Sequence, residues 1–418
     1  MPFHHRSDEG YTSAPPARGV GLDAEAADGG DVRRTRGVAE AILWSEGDDP
    51  YAPPGPPSVR CVLCAHRCLV RPGRRGICGV RENRDGRLFS LVYGELVAAH
   101  LDPIEKKPLY HVLPGSTAYS IATVGCPFRC GFCQNWEIAQ APHEGMAPPT
   151  FSMTPTEVVA EAVRAGARAI AFTYVEPTIF VEYLVDVARL AHRAGLRNVV
   201  VTNGYLTPEA IEVLGPLLDA ANVDLKGFDD AVYRRLCGAR LAPVLESIVG
   251  LRRAGVWVEV TTLLVPGHTD DPAMLRDLTA WLAREVGPET PWHVSRFFPA
   301  YRMGHVSPTT VASVRRAASI GHDAGLLHVY PGNLGSDAGR DDGITRCAGC
   351  DAPLITRQGY RLVGDRLVGG RCPDCGRTLA GIFDGAGSGG AQPAGPAADG
   401  TGSAGGRVAT AGDAEVGR

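Results

Sequence analysis

Short runs of apolar and β-branched residues alternate with helix-like stretches through the middle of the chain. Seven runs lie at residues 119–124, 169–172, 199–201, 221–225, 256–260, 292–298 and 326–329. Four of them follow an Ala-Gly pair of the kind that ends a helix in the left-handed conformation, at Gly166, Gly195, Gly255 and Gly325. This alternation is typical of βα units in a parallel sheet.

Helix starts are marked by a capping residue directly before a proline. These pairs are Thr154-Pro155, Thr207-Pro208, Asp271-Pro272 and Ser307-Pro308. Thr154 and Glu157 also have capping-box spacing. About six βα units after an opening strand predict an α/β fold with a partial (β/α)6 barrel of TIM type. A doubly wound open sheet is the alternative, and in both folds ligands bind at the carboxyl ends of the strands.

Composition separates the two ends of the chain from this middle. Residues 1–57 are rich in Gly, Ala, Asp and Pro, and we predict a disordered leader and linker there, with a helix only at residues 38–44. Residues 385–418 predict a disordered tail. Between them we expect a Cys-rich region at 58–115, a catalytic core at 116–335 and a small metal-binding domain at 340–384.

Charge and hydropathy exclude several classes of protein. The net charge of −4 argues against a general binder of nucleic acid or of membrane surfaces. The first ten residues are polar, unlike a signal peptide, and we find no apolar run long enough to span a bilayer. Twelve cysteines without an export signal indicate metal ligation in a reducing cytoplasm.

The segment after the opening strand carries the most specific motif. Cys126, Cys130 and Cys133 form C-x3-C-x2-C, a spacing that places three thiolates around one corner of an iron–sulfur cubane. Because no fourth cysteine lies nearby in sequence, one iron is left open for another ligand. S-adenosylmethionine (SAM) chelates such an iron and is cleaved by one electron to a 5′-deoxyadenosyl radical. A zinc site or chance spacing is the alternative.

The remaining cysteines form two further groups and a single residue. Cys347, Cys350, Cys372 and Cys375 form two C-x2-C pairs, which predict a zinc ribbon or rubredoxin-like knuckle with structural zinc favoured over iron. Cys61, Cys64, Cys68 and Cys78 predict a second metal site, for which spacing favours neither zinc nor an iron–sulfur cluster. His66 is a possible ligand there, although a surface histidine is the commoner case. Cys237 has no local partner and predicts a small buried residue.

These motifs together resemble the radical SAM component of the AmmeMemoRadiSam system, a relative of the pyruvate formate-lyase activating enzymes. The resemblance covers about residues 58–384. Its carriers are Cys61-Val62-Leu63-Cys64, Gly76-Ile77-Cys78-Gly79-Val80-Arg81, the block from Asp102 to His111 (DPIEKKPLYH), Gly125 to Trp136, Thr173 to Thr178, Thr202 to Tyr205, Asp224 to Gly227, Trp292-His293 and the terminal ribbon.

The resemblance implies roles for the residues at the strand ends. Glu176 occupies the place of a segment that holds the SAM amino group in related enzymes, and Asn203 lies near the expected SAM ribose or carboxylate. Asp224 and Lys226 end the next strand, where a lysine would pair with the SAM carboxylate. From the residues alone, Glu176 is equally a helix N-terminal carboxylate, Asn203 part of a turn and Lys226 one half of a salt bridge. His293 is either a core histidine or a substrate contact, and Lys106 and Lys107 suit a solvated loop.

Three functions remain open from the sequence. The first is a radical SAM enzyme of the AmmeMemoRadiSam type that abstracts hydrogen from an unidentified substrate. The second is an activase of a glycyl-radical enzyme, and the third is a non-catalytic protein that binds several zinc ions. For the first, the resemblance implies Memo-type and AMMECR-type partner proteins, and analogy suggests a flavodoxin or ferredoxin as electron donor.

Overall fold

The computed structural model describes residues 37–51, 54–339 and 341–383. The predicted C-terminal tail, and the N-terminal leader as far as residue 36, lie outside these residues. No helix in the described part of the chain is long and apolar enough to cross a membrane.

Seven short strands build an N-terminal module around the first cysteine group. They are β1 Gly37–Glu40, β2 Trp44–Glu46, β3 Val59–Cys61, β4 Leu69–Val70, β5 Arg81–Arg84, β6 Arg87–Tyr93 and β7 Glu95–Leu96. They pair antiparallel in the orders β1-β6-β5 and β2-β3-β4. The helix predicted at residues 38–44 is therefore wrong, and part of the predicted leader is folded. Cross-strand partners, which no local pattern reveals, override the helical appearance of this segment.

The core is one eight-stranded sheet with seven parallel strands and an antiparallel edge strand. Its order is β16-β15-β14-β13-β12-β11-β9-β8. The strands of this sheet are β8 Ala98–Pro103, β9 Thr117–Ala122, β11 Ala169–Phe172, β12 Arg197–Thr202, β13 Ala220–Asp224, β14 Trp257–Leu264, β15 Trp292–Arg296 and β16 Val329–Gly332. A further short strand, β10 Phe151–Ser152, pairs with β7 outside this sheet. The opening strand and six further parallel strands confirm the predicted α/β pattern, although the last strand begins three residues later than expected.

Within the described residues, nine α-helices connect or cover these strands. They are α1 Trp136–Ala139, α2 Ala141–Glu144, α3 Pro155–Arg164, α4 Val181–Arg193, α5 Pro208–Leu214, α6 Asp230–Cys237, α7 Leu241–Arg253, α8 Pro272–Trp281 and α9 Val311–Asp323. Thr154 and Glu157 form the predicted capping box of α3, and Thr207 and Asp271 cap α5 and α8. The start predicted at Ser307-Pro308 is wrong, because Thr310 caps α9 instead.

The block from Ile104 to Ser116 fills the amino-terminal end of the sheet as a plug. It packs against the small side chains of Ala118, Ala169, Ala171 and Ala220 at the strand starts. Glu259 of β14 fixes the plug, because its buried carboxylate accepts hydrogen bonds from the backbone N–H groups of Tyr110 and His111 at 3.0 and 2.8 Å. His293 Nε2 donates to the same carboxylate at 2.7 Å. His293 is thus a core histidine with a satisfied partner.

The two lysines of this block, both expected in a solvated loop, differ in how deeply they are buried. Lys107 is 2% exposed and its ammonium lies 2.7 Å from Asp102 Oδ2, above the ring of Tyr174. Burial lowers the pKa of Lys107 to about 8, against the opposing effect of Asp102. Lys106 pairs with the other oxygen of Asp102 and is partly exposed. The expectation of a solvated loop is therefore wrong for Lys107, which the fold buries with a carboxylate.

The C-terminal domain closes the same end of the sheet from outside. Its strands β17 Ile344–Arg346, β18 Pro353–Gln358 and β19 Arg361–Asp365 form an antiparallel sheet. Arg357 is fully buried beside Glu105 of the plug, with 3.5 Å between Nε and Oε1. His111 Nδ1 donates to the Ala380 carbonyl oxygen at 2.8 Å, and Ile382 N donates to His111 O at 2.7 Å. The C-terminal domain, or ribbon, is therefore packed directly against the core.

We predict that acid weakens the fold through two histidines at this junction. Burial lowers the pKa of His111 from 6.5 to about 4, and burial likewise lowers the pKa of His328, whose ring lies 4.5 Å from that of His111. Between pH 6.5 and about 4 the unfolded chain binds protons that the folded chain excludes. Stability is thus complete above pH 6.5 and falls on acidification, by up to about 1.4 kcal/mol per pH unit for each histidine.

Urea unfolding of wild type and His328→Asn across this range measures the effect. The variant should lose stability less steeply with falling pH, since it lacks one of the two protonation sites. Equal slopes for both proteins would contradict the assignment.

Candidate metal and SAM site

The loop after β9 brings its three cysteines to the carboxyl edge of the sheet. Phe128 N donates to Cys126 Sγ at 3.4 Å. The backbone of the loop is held by α6, because Arg129 N and Gly131 N donate to the carbonyl oxygens of Cys237 and Leu236 at 2.8 and 3.0 Å. The loop is therefore held against the end of α6 by backbone hydrogen bonds.

The donor set fits an iron–sulfur cluster. Within the described residues, three or more His, Cys, Asp or Glu ligand atoms all lie within 4.8 Å of one another only in the C-terminal cysteine group. Cys126, Cys130 and Cys133 do not form such a compact group, and three free thiols on one short loop are the soft ligands that iron–sulfur clusters take. Burial raises the pKa of Cys126 well above its usual range and that of Cys133 to about 12, so metal binding has to displace the thiol protons.

Asn203 comes from the end of β12 to the same place. Its Nδ2 lies 4.0 Å from Cys126 Sγ, and its Oδ1 accepts from Tyr205 N at 3.0 Å. Gly204 makes this turn possible, because it has φ of +67° and a Cβ there would lie 2.6 Å from Val223 Cγ1. Asn203 and Gly204 therefore form a turn, as one of the two interpretations expected, and this turn lies beside the cysteine loop.

The Glu176 side chain lies next to the backbone of Asn203, and both of its carboxylate oxygens accept hydrogen bonds. Oε2 accepts from Asn203 N at 2.7 Å, and Oε1 accepts from Thr202 Oγ1 at 2.8 Å and from the backbone and side chain of Thr178. The side chain caps the short helix Pro177–Phe180. Burial raises the pKa of Glu176, and the hydrogen bond from Asn203 opposes that rise. The structure thus gives Glu176 the capping role, while contact with the SAM amino group stays a prediction.

Asp224 and Lys226 follow β13 on the same edge. Lys226 Nζ lies 3.0 Å from Asp224 Oδ2 and 5.8 Å from the centre of the Phe132 ring on the cysteine loop. Burial lowers the pKa of Lys226, but Asp224 and Cys130 raise it more, and the amine stays charged. The salt-bridge interpretation is confirmed, and the pair is also next to the cysteines.

Cys237 is the residue of this site that sequence reasoning missed. Its thiol donates a hydrogen bond to Cys130, which lowers the pKa of Cys130 and raises that of Cys237. Cys237 ends α6, far from the motif along the chain, so no local spacing pointed to it. Cys237 lies next to Cys130, which is already part of the motif. Among the groups that shift the pKa of Cys126 and Cys133 most, there is no thiol from outside the loop.

The C-terminal cysteines form a compact four-sulfur site. Cys347 Sγ lies 3.4 Å from Cys375 Sγ, and Cys350 Sγ lies 3.6 Å from Cys372 Sγ. Tetrahedral zinc with Zn–S bonds of about 2.3 Å places its sulfur atoms about 3.8 Å apart. The geometry fits a single closed ion and leaves no position for a substrate.

We predict that Glu176→Ala destabilises the protein by about 3 kcal/mol or more, because it leaves two buried backbone N–H groups and two hydroxyls without their acceptor. Glu161→Ala, which removes a surface pair with Arg164, is the control and should cost under about 1 kcal/mol. Chemical denaturation measures both. Equal losses would show that Glu176 does not organise the strand end.

We predict that removal of the C-terminal metal loosens the whole core, since the ribbon covers the plug. A chelator, or Cys350→Ser, should release one bound ion and lower the thermal midpoint of the full chain. Metal analysis with calorimetry checks this. An unchanged thermal midpoint after loss of the ion would show that the ribbon stays folded without the metal.

The comparisons with known proteins agree with this geometry. Residues 120–278 match the radical SAM superfamily. An uncharacterized protein of Methanocaldococcus jannaschii is 38% identical over 344 residues, which cover 82% of this chain and 99% of that protein. The pyruvate formate-lyase-activating enzyme of Clostridium pasteurianum is 24% identical over 163 residues, which cover 37% of this chain and 64% of that enzyme.

Among solved structures, a domain of a pyruvate formate-lyase-activating enzyme from Bacteroides vulgatus is similar, with 19% identity and a TM-score of 0.35, over 40% of this chain and 99% of that domain. The superfamily implies a [4Fe-4S] cluster and SAM, and the matched segment contains the cysteine loop, Asn203 and Lys226. The chain belongs to the radical SAM superfamily and is homologous to the pyruvate formate-lyase-activating enzymes.

Proposed function

We propose that this protein is a radical SAM enzyme of the AmmeMemoRadiSam type that cleaves SAM reductively at a [4Fe-4S] cluster on Cys126, Cys130 and Cys133. The observation that carries the proposal is the loop with three free thiols at the carboxyl edge of the sheet, beside Asn203 and the Asp224–Lys226 pair. When bound, the cluster supplies the electron that splits SAM into methionine and a 5′-deoxyadenosyl radical for hydrogen abstraction.

The surrounding side chains are suited to hold SAM. The Lys226 ammonium is a compact charge for the SAM carboxylate, and it is held in place by Asp224. The Asn203 side-chain amide donates toward Cys126 Sγ. The polar turn after β12 is therefore close to the position proposed for the SAM ribose or carboxylate. Glu176 positions Asn203 from below through the Asn203 backbone N–H.

The plug and the ribbon support the AmmeMemoRadiSam type over a simple activase. The DPIEKKPLYH block is the most distinctive part of the resemblance, and here it is a structural element that joins barrel and ribbon through Glu259, Glu105 and Arg357. Simple activases lack such a ribbon. Under this proposal the partners are Memo-type and AMMECR-type proteins, with a flavodoxin or ferredoxin as electron donor, and the protein works in the cytoplasm.

Activation of a glycyl-radical enzyme is the second candidate. Its support is the similarity of 37% of the chain to the activating enzyme of Clostridium pasteurianum. It requires a protein substrate whose glycine loses a hydrogen atom. A doublet radical signal on a co-purified partner, seen by electron paramagnetic resonance after incubation with SAM and reductant, would favour it over the first proposal.

We predict that the anaerobically reconstituted protein produces 5′-deoxyadenosine from SAM in the presence of dithionite and that Cys130→Ala abolishes the product. The alanine removes one cluster ligand, so the iron content bound at this loop falls with the activity. Product analysis and iron determination measure both effects.

Glu161→Ala is the control, since it changes only a surface pair with Arg164 away from the cysteine loop. It should retain iron and SAM cleavage. A colourless wild-type protein that holds zinc alone would instead establish the non-catalytic zinc-binding protein and refute the proposal.

A further inference from the structure

The N-terminal module gathers a second set of four thiols. Cys61 ends β3 and donates its backbone N–H to Cys68 O at 2.9 Å, which folds Cys64 and Cys68 into one tight turn. Ile77 N donates to Cys68 Sγ at 3.5 Å and brings in the loop of Cys78. A Cβ on Gly76 would lie 3.7 Å from Cys68 Sγ, so the two loops are in contact. These contacts bring the four cysteines into one part of the module.

The sulfur atoms of this group are less compact than those of the ribbon. No three of them all lie within 4.8 Å of one another, whereas the four ribbon sulfurs do. A single tetrahedral ion needs the compact arrangement, and a cubane separates its thiolates because each binds a different iron. His66 Nε2 donates to Pro127 O at 3.0 Å, which leaves Nδ1 as the nitrogen with a lone pair.

A buried arginine beside the four thiols has unused donors. Arg81 is 1% exposed and pairs with Glu182 at 3.0 Å, but its Nε and Nη1 are buried without a hydrogen-bond partner. Gly76 N donates to Arg81 O at 2.9 Å, which places Arg81 at the loop of Cys78, and a guanidinium stays charged in proteins. Unpaired buried donors are costly, and an anionic thiolate-bound cluster supplies acceptors for them.

This second group touches the radical SAM loop directly. A Cβ on Gly125 would lie 2.9 Å from Cys78 O and 2.8 Å from Val80 Cγ1, so the chain just before Cys126 packs on the chain at Cys78. On the other side, His66 contacts Pro127 O, and the ring centre of His66 lies 4.8 Å from that of Tyr205. The two cysteine-bearing segments are therefore in direct contact at two places.

We propose that Cys61, Cys64, Cys68 and Cys78 hold a second iron–sulfur cluster of the [4Fe-4S] class, which passes single electrons to the group on the Cys126–Cys133 loop. The relay function rests on the proposed function, and the cluster itself does not. In each transfer a reduced one-electron carrier protein loses one electron, the second cluster gains it and then gives it up, and no bond or proton changes.

Iron and sulfide analysis after anaerobic reconstitution tests the site. The variant Cys64→Ala/Cys68→Ala should bind about half the iron of wild type and keep a reduced-cluster signal that changes on addition of SAM. The matched variant Cys126→Ala/Cys130→Ala should keep the other half, with a signal that SAM leaves unchanged. In reduced wild type, the two neighbouring paramagnetic centres should broaden each other's resonance, and neither variant should show this broadening.

A wild-type protein with iron for one cluster only, or with zinc at the first cysteine group, overturns the second cluster and leaves the proposed function intact. Iron for two clusters without SAM cleavage overturns the proposed function alone. Should the double cysteine variant fail to fold, Arg81→Met/Glu182→Leu replaces the buried pair by apolar groups and keeps all ligands. Loss of the adjacent cation should lower the reduction potential of the second cluster selectively, and an unchanged potential would contradict the assigned position.

Discussion

Two backbone N–H groups, one imidazole and one indole donate hydrogen bonds to a single buried carboxylate inside the barrel, that of Glu259. Burial alone would raise the pKa of Glu259, yet the hydrogen bond from His293 and its other partners hold it below the usual value. An ionised carboxylate with this many donors is a strong and directional anchor. Through it the segment from Ile104 to Ser116 is fixed to the strands, and through that segment the ribbon is fixed to the barrel.

This anchor divides the barrel into two ends with different tasks. The amino ends of the strands are closed by the plug and the ribbon, where charged groups such as Arg357 and Glu105 are buried with partners. The carboxyl ends remain for chemistry, and they carry the cysteine loop, the Asn203 turn and the Asp224–Lys226 pair. The compact C-terminal four-sulfur site lies on the closed end and therefore supports structure, whereas the N-terminal cysteine group lies against the loop at the open end.

Elements with strong local signals were predicted well, and elements that depend on distant partners were not. The capping box of α3 and the strand Ala169–Phe172 follow from a few neighbouring residues. Residues 38–44 look helical in isolation but pair with β6 and β3, and Lys107 looks solvated but meets Asp102 inside the fold. Cys237 was predicted to be merely buried, since nothing local indicates that α6 delivers it to Cys130.

The sequence by itself determined the alternation of strands and helices, the three cysteine groups and the edge at which the strand-end residues meet, because each of these follows from short spacings and from the direction of parallel strands. Only the tertiary structure decided that Glu176 accepts a hydrogen bond from the Asn203 backbone, that two buried nitrogens of Arg81 lack partners near the first cysteine group and that this group contacts the radical SAM loop. Those facts depend on contacts between residues far apart in the chain, whose free energy arises from packing and burial that no local pattern encodes.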